Sequence, residues 1–381
     1  MTFLLILIYF SFISLGLPDS LLGAVWPVMH HDFGVPVAFG GYVGMTTSFL
    51  TVISSLMAQK FHKWFGTGKT IAISTTLTAL AIIGYSIVPS YWMLFPLAIV
   101  LGLGGGAIDS ALNNYVALHY KASHMSFLHC CWGVGCTLGP LILSYTITDS
   151  TWRTGYRIIA LIQIVLAMIQ YASIPIWKGR DEGGAGEEEN ETFKPTVKAN
   201  TKVLALLSFF FYCAFETSCI LWFATFFVNV LGTSEQIGAA ASSAFFIGIT
   251  AGRLVSGFVS EKIGVKNMVY ISAVIAAVCS AVVFLSGNVY LSFAAAVLVG
   301  FGCGPIYPSM IHRTPRRYGS KLSPKIIGQQ MACAYVGSTL FPPLLGNIAV
   351  FTGFKIVPLV GIVFMGLVFV CTLIIERSKV N

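Results

Sequence analysis

Gly102-Leu-Gly-Gly-Gly-Ala-Ile-Asp109-Ser-Ala-Leu-Asn113-Asn-Tyr115 lies inside an apolar run from about Met93 to Leu118. That run is long enough to cross a bilayer as a helix. A charged side chain at the centre of such a helix costs about 2.5–3.5 kcal/mol on insertion scales, so Asp109 needs a reason to be there. Asn113 follows one helical turn later, on the same face. Gly102, Gly104, Gly105 and Gly106 precede the acid and let another helix backbone come close. The stretch therefore reads as a tightly packed helix that turns a polar face toward the protein interior.

Working outward, the composition agrees. Of the 381 residues, 56% are hydrophobic and only 9% are charged, too few to cover a soluble domain of this size. The chain reads as a polytopic, all-α membrane protein. The net charge of +8 does not point to nucleic acid, because the basic residues cluster at helix ends. The nine cysteines fall mostly within apolar runs, as small packing residues and not as a disulfide or metal framework. The first run lacks a basic start and is too long for a signal peptide, so it is taken as the first span. Runs of about 20 residues give twelve helices, at 3–29, 38–58, 70–88, 93–118, 126–147, 155–177, 202–230, 237–258, 267–285, 289–311, 327–351 and 355–376.

The expected organisation is a six-helix bundle over 1–177, a linker over 178–200 and a second six-helix bundle over 201–381. The linker holds six of the fourteen acidic residues and four glycines, the composition of a solvated, mobile segment. With both termini placed in the cytoplasm, inner loops and tails hold eighteen Lys and Arg. The outer side holds only Arg153, Arg157 and Lys355, with Arg253 left inside the membrane. That asymmetry sets the orientation, and the expected location is the plasma (inner) membrane.

The halves repeat. Leu101 to Asp109 lines up with Val299 to Tyr307 at an offset of 198 residues, three glycines coinciding. Gly135 to Pro140 lines up with Gly337 to Pro342. Two even-numbered halves of the same topology make a parallel repeat about an axis normal to the membrane, the arrangement of major facilitator transporters. After helix eight, Gly257-Phe-Val-Ser-Glu261-Lys262-Ile-Gly264-Val-Lys266 resembles the G-x-x-x-D-R-x-G-R-R loop motif of that superfamily. These residues, with Arg253, are read as gating elements. The counterpart near Gln59 to Lys69 keeps Gly66, Gly68 and Lys69 but no acid.

Four charges lie deep in the spans: Asp19, Asp109, Glu216 and Arg253. Intramembrane acids mark ion or substrate paths. A carboxyl group away from bulk water holds its proton more readily, the property a proton-coupled carrier needs. Asp19 follows Gly16 and Pro18, where the first helix is expected to break. Glu216 sits near the equivalent place in helix seven; its bland reading is a buried partner for Arg253. The candidates for ion coupling are Asp109, Glu216 and Asp19. Those for substrate binding are Asp19, Asn113, Asn114, His129, Trp132, Glu216, Trp222 and Tyr307, with Gln163, Gln170, Gln329, Gln330 and Asn347 as further amides. Amides and aromatic faces without a deep cluster of cations suit a neutral polyhydroxylated solute better than an anion. No cofactor and no metal site is expected.

The chain resembles the fucose–proton symporter branch of the major facilitator superfamily. The likeness rests on Gly16-Leu-Pro-Asp19, on Asp109-Ser-Ala-Leu-Asn113-Asn114-Tyr115, and on Leu128-His129-Cys-Cys-Trp132-Gly133-Val-Gly135-Cys-Thr-Leu-Gly139-Pro140. It rests also on Tyr212-Cys-Ala-Phe-Glu216 with Trp222, and on Gly252-Arg253. The resemblance implies proton coupling at Asp109, sugar recognition at Asp19, and alternating access by two bundles rocking about a central cavity. The chain departs from the family's fucose member in carrying Asp109 where that has Glu, and Asn114 where that has Pro. The partners it implies are a sugar-like solute, a proton (or sodium, as in related branches) and the lipid bilayer, with the protein a monomer. The runner-up is a proton-coupled efflux antiporter, since G-x-G-x-x-x-G-P in helix five resembles an exporter motif. An enzyme is disfavoured: His30-His31-Asp32 is the one clustered candidate and reads as a solvated outer turn.

Overall fold

The structure, a computed structural model, describes residues 2–119, 122–149, 151–177, 196–319 and 322–378. Among them, thirteen helices form. They are α1 (Thr2–Asp19), α2 (Leu21–Asp32), α3 (Gly40–Ile87), α4 (Leu94–His119), α5 (Ala122–Asp149), α6 (Trp152–Trp177) and α7 (Lys202–Leu231). There follow α8 (Glu235–Ile263), α9 (Val265–Leu285), α10 (Val289–Cys303), α11 (Ile306–Tyr318), α12 (Ser323–Thr352) and α13 (Ile356–Arg377). Twelve segments are long and apolar enough to cross a membrane. The numbers differ because α1 and α2 share one span, α10 and α11 share another, and α3 contains two. The chain is an integral, multi-pass, all-α membrane protein.

The break in the first span falls at Ser20, directly after Pro18 and Asp19. Proline removes a helical donor and crowds the preceding turn, so the discontinuity is encoded locally. The bend within α3 falls at Gly66, with φ 74° and ψ 167°, a conformation open to glycine because it lacks Cβ. Gly264, between α8 and α9, has φ 79°. Gly34 and Gly232, which end the first spans of the two halves, have φ 63° and 64°. Each pair is 198 residues apart, so the repeat extends to the turns.

The glycines beside Asp109 do what a small residue is for. A methyl group on Gly102 would overlap the Thr47 carbonyl, and one on Gly106 the Thr51 carbonyl. In the second half a methyl on Gly300 would overlap the Phe245 carbonyl and one on Gly304 would press on that of Ile249. A methyl on Gly104 would stand 2.8 Å from Ser74 O; on Gly302, 2.8 Å from Ser272 O. Every partner is displaced by the same 198 residues as its glycine. The repeat is thus a repeat of backbone contacts.

The contacts divide the chain into two compact units. The first is Met1–Gly186 with Thr233–Ser243; the second is Glu187–Gly232 with Ala244–Asn381. In the first, α3 packs on α4 and α6, and α1 packs on α5. In the second, α7 packs on α12 and α13, and α9 on α10 and α13. α6 shows how a membrane helix chooses its face: Trp152, Tyr156, Ile159, Gln163, Leu166, Gln170 and Ser173 are buried at helical spacing. Leu161, Ile162, Val165, Met168 and Ile169 between them are exposed, the surface offered to lipid.

Most of the expected linker, 178–195, lies outside the described residues. Its last part corrects the expectation of a mobile segment. Thr196 N and Val197 N donate to Arg317 O at 3.0 and 3.2 Å, and Lys198 N donates to Ser378 O at 2.9 Å. Val197 is buried with Ala205, Tyr318, Ile326 and Ile375. The bonds bind this end of the linker to the second unit.

Replacing Gly300 or Gly106 by valine is expected to lower the thermal stability of the detergent-purified protein. Overpacking costs about 1–3 kcal/mol, and here backbone must move. Gly366→Ala, where nothing stands within 4 Å of the added methyl, is expected to be neutral. Melting curves of the three variants check this; equal midpoints would show that the glycines are not packing points.

Candidate functional site

In the first unit, three helices bring five of the expected residues together. α1 and α5 touch through glycine: a methyl on Gly135 would overlap Ile13 O, and one on Gly16 would overlap Trp132 O. This contact places Trp132 one turn below Asp19, and the indole Nε1–H donates to Asp19 Oδ2 at 2.8 Å. His129 sits one turn earlier on α5, edge-on to Phe12 of α1 with ring centroids 5.9 Å apart. Gly105 of α4 faces Leu15 of α1. Asp109, four residues on and on the same face, lies within electrostatic reach of Asp19. Asn113 Nδ2 donates to Asp109 Oδ1 at 2.9 Å.

Asp19 is midway along the first span, Phe3–Asp32, yet exposed. Facing hydrocarbon there would be costly, so its position calls for a wet recess. Its hydrogen-bond partner is a neutral indole, and that of Asp109 is a neutral amide. Both carboxylates keep accepting capacity for a ligand hydroxyl or a proton.

In the second unit, Glu216 Oε1 stands 3.6 Å from Arg253 Nη2, with the two side chains 14% and 18% exposed. Tyr212 lies one turn before Glu216 on α7, and among the described residues its buried hydroxyl has no hydrogen-bond partner. Tyr307 lies 6.3 Å from Tyr212 and 5.4 Å from Phe209, centroid to centroid. Tyr307 occupies the repeat position of Asp109, so the same backbone site carries an acid in one half and a phenol in the other.

Several expectations are corrected. Arg253, expected among the gating residues, has its guanidinium beside Glu216, the pairing that is Glu216's bland reading, because a buried carboxylate calls for a cation. Trp222 was placed among the substrate contacts. It is fully buried, packs on Phe354 at 5.5 Å and donates its N–H to Pro342 O at 2.9 Å, so nothing of it is left for a ligand. Gln163 and Gln170 hold α6 to α1: Gln163 Nε2 donates to Ser14 O, Ser14 Oγ to Gln163 Oε1, and Gln170 Nε2 to Ser11 Oγ. Gln330 accepts from Thr314, and Asn347 donates to Pro343 O within its own helix. Asp32, exposed at the end of α2, accepts from Trp152 Nε1 at 2.6 Å.

The side chains of Asn114 and Glu261 lie outside the described residues. Gly257 has open space around it, Lys262 is exposed, Gly264 makes the positive-φ turn, and Lys266 Nζ lies 5.8 Å over the Tyr270 ring. Reading the residues alone missed the cluster of Arg313, Arg317 and Glu376. The one signal was a glutamate at the end of the last helix facing an arginine-rich segment.

The family model of the Major Facilitator Superfamily matches residues 8–241 and 204–380. Among curated proteins, the Glucose/mannose transporter GlcP of Bacillus subtilis (strain 168) is 22% identical over 79% of this chain and 77% of its own length. Bypass of stop codon protein 6 of Saccharomyces cerevisiae is 21% identical over 91% of this chain and 77% of its own. Among solved structures, a bacterial homolog to the human lysosomal transporter Spinster, inward-facing and occupied, superposes with a TM-score of 0.77. It is 12% identical, and the match covers 99% of this chain and 97% of that one. Twelve spans, a backbone-level repeat of six and six, and a family match over nearly the whole chain agree: this protein is a transporter of the Major Facilitator Superfamily.

Proposed function

We propose that the chain carries a neutral, sugar-like solute across the plasma membrane by cation-coupled symport, the cation being a proton. It works by exposing its binding residues alternately to the two sides, as a monomer with both termini in the cytoplasm. The observation that carries this reading is the pair of carboxylates at the α1–α4–α5 junction, each bonded to a neutral donor. Asp19 and the Trp132 indole offer an acceptor beside an aromatic face, the combination that recognises a hydroxylated ring. Asp109, steadied by Asn113, is the group that takes and gives up the proton, and His129 completes the wall. A glucose/mannose transporter among the relatives favours a sugar.

In the second unit the deep charges Glu216 and Arg253 stand as a pair, which favours a neutral solute over an anionic one. The efflux alternative drew on the glycines of helix five. Gly135 and Gly139 are accounted for by their approach to Ile13 O and Leu17 O, so they do not speak for export.

Sugar-evoked currents in proteoliposomes, across hexoses, deoxyhexoses and disaccharides, test the reading. The expected outcome is a sodium-independent current with at least one sugar that vanishes in Asp109→Asn. Asp19→Asn is expected to weaken apparent sugar affinity by about tenfold, the loss of a charge-assisted hydrogen bond. Silence across the panel, or uphill accumulation by Asp109→Asn, would overturn it. The ion pair gives a separate check. Arg253→Gln strands a buried carboxylate and is expected to cost about 3–5 kcal/mol of stability. Adding Glu216→Gln should restore most of it. A double variant no more stable than the single one would remove the pair from the account.

A further inference from the structure

One end of the second unit carries charge that the transport reading does not use. There α9 begins and α11 and α13 end, on the side that the Lys and Arg asymmetry assigns to the cytoplasm. Oε1 of Glu376 takes Arg313 Nη2 at 2.6 Å, and Arg317 Nη2 and Nε at 2.8 Å each. Arg317 is only 3% exposed. Tyr270, in the second turn of α9, is within electrostatic reach of Glu376, Arg317, Arg313 and Arg377. Lys266 lies over its ring. Among the described residues, Arg313 and Arg317 thus share one carboxylate, and Lys266 and Arg377 stand near Tyr270 beside them, so positive charge outnumbers negative in this group.

The hydrogen bonding is incomplete as well. Among the described residues, the buried Nε of Arg313 and the buried hydroxyl of Tyr270 have no partner. α9 starts here with no side chain bonded to its first turn, so its free N–H groups and positive dipole end add to the field. Orientation in the membrane asks only that basic residues lie near this surface. It does not ask that an arginine be buried or that donors be left without acceptors, which costs stability unless something fills the place.

We propose that this cluster is a binding site for a phosphate group, supplied by the headgroup of an anionic phospholipid in the adjoining leaflet. A phosphate has the tetrahedral set of acceptors that several guanidinium groups, a phenol and a helix start can share. Three membrane helices end here, at the depth where headgroups lie, and basic pockets between helices on the cytoplasmic side suit such lipids. Glu376 holds the two arginines in place and leaves Arg313 Nε, Tyr270 and the exposed Lys266 and Arg377 facing the lipid phosphate.

Native mass spectrometry of the full-length protein in detergent, titrated with phosphatidylglycerol or phosphatidylcholine, tests this without any transport measurement. The expected result is at least about tenfold tighter retention of phosphatidylglycerol, from one or more charge-assisted hydrogen bonds. Arg313→Gln combined with Arg377→Gln is expected to abolish the preference. Tyr270→Phe, which keeps the ring on Phe369, is expected to weaken it about threefold and serves if the double variant does not fold. Arg157→Gln, an exposed cation of the first unit, should leave it unchanged. Resistance of bound phosphatidylglycerol to inorganic phosphate assigns the site to the lipid, and displacement assigns it to the free anion; both uphold recognition of phosphate. Equal retention of the two lipids by the wild type, or a preference that persists in both variants, overturns the proposal.

Discussion

Backbone against backbone, at the places where a side chain is missing, is the contact on which the rest of this molecule depends. In lipid the hydrophobic effect does not push helices together, since hydrocarbon is as apolar as leucine, and interhelical hydrogen bonds average only about 0.6 kcal/mol. What remains is close packing, and it is closest where a glycine lets the neighbouring carbonyl occupy the space of its own Cβ. Gly102, Gly104 and Gly106 do this on two neighbouring segments at once, and Gly300, Gly302 and Gly304 do the same with the equivalent atoms of the second half. Gly16 and Gly135 do it for α1 and α5. The polar residues of the site are hung on these contacts, so their relative positions are set by backbone and not by flexible side chains.

On this common skeleton the two halves have diverged in chemistry. The first half holds two carboxylates whose hydrogen-bond partners are an indole and an amide. The second holds a carboxylate matched by a guanidinium, with a phenol where the first half has its acid. A repeat that preserves packing while changing charge assigns different tasks to its halves without altering the fold. The linker adds a further asymmetry, since its end is hydrogen-bonded to Arg317 and Ser378 of the second unit.

Spans, repeat and deep charges were legible because each rests on one-dimensional information: run length, spacing and the cost of a charge in hydrocarbon. The break at Ser20 was legible for the same reason, from Pro18. What could not be read was the direction in which a side chain points. Trp222 and Trp132 look alike in a string of letters, but one is walled in by Phe354 and the Pro342 carbonyl while the other reaches Asp19. Gln163 and Gln170 read as possible ligands until α1 supplies Ser14 and Ser11 as partners. The pairing of Arg253 with Glu216, thirty-seven residues away, could be read only as one of two options, because its closeness in sequence to the loop motif offered the other. Buried arginines are the extreme case: Arg317 reads as one basic residue among several at a helix end, and nothing local announces that Glu376 encloses it.

The pairing of Glu216 with Arg253 also bears on how the molecule responds to voltage. A matched pair is a small dipole with no net charge, so the membrane potential exerts no net force on it. A lone carboxylate is different, since one elementary charge crossing the full field is worth about 2.3 kcal/mol per 100 mV. Of the four deep charges, two cancel within the second unit, and only Asp19 and Asp109 remain to feel the field. Whatever electrical work the membrane does through these four residues therefore falls on the two carboxylates of the first half, at the moments when they are ionised.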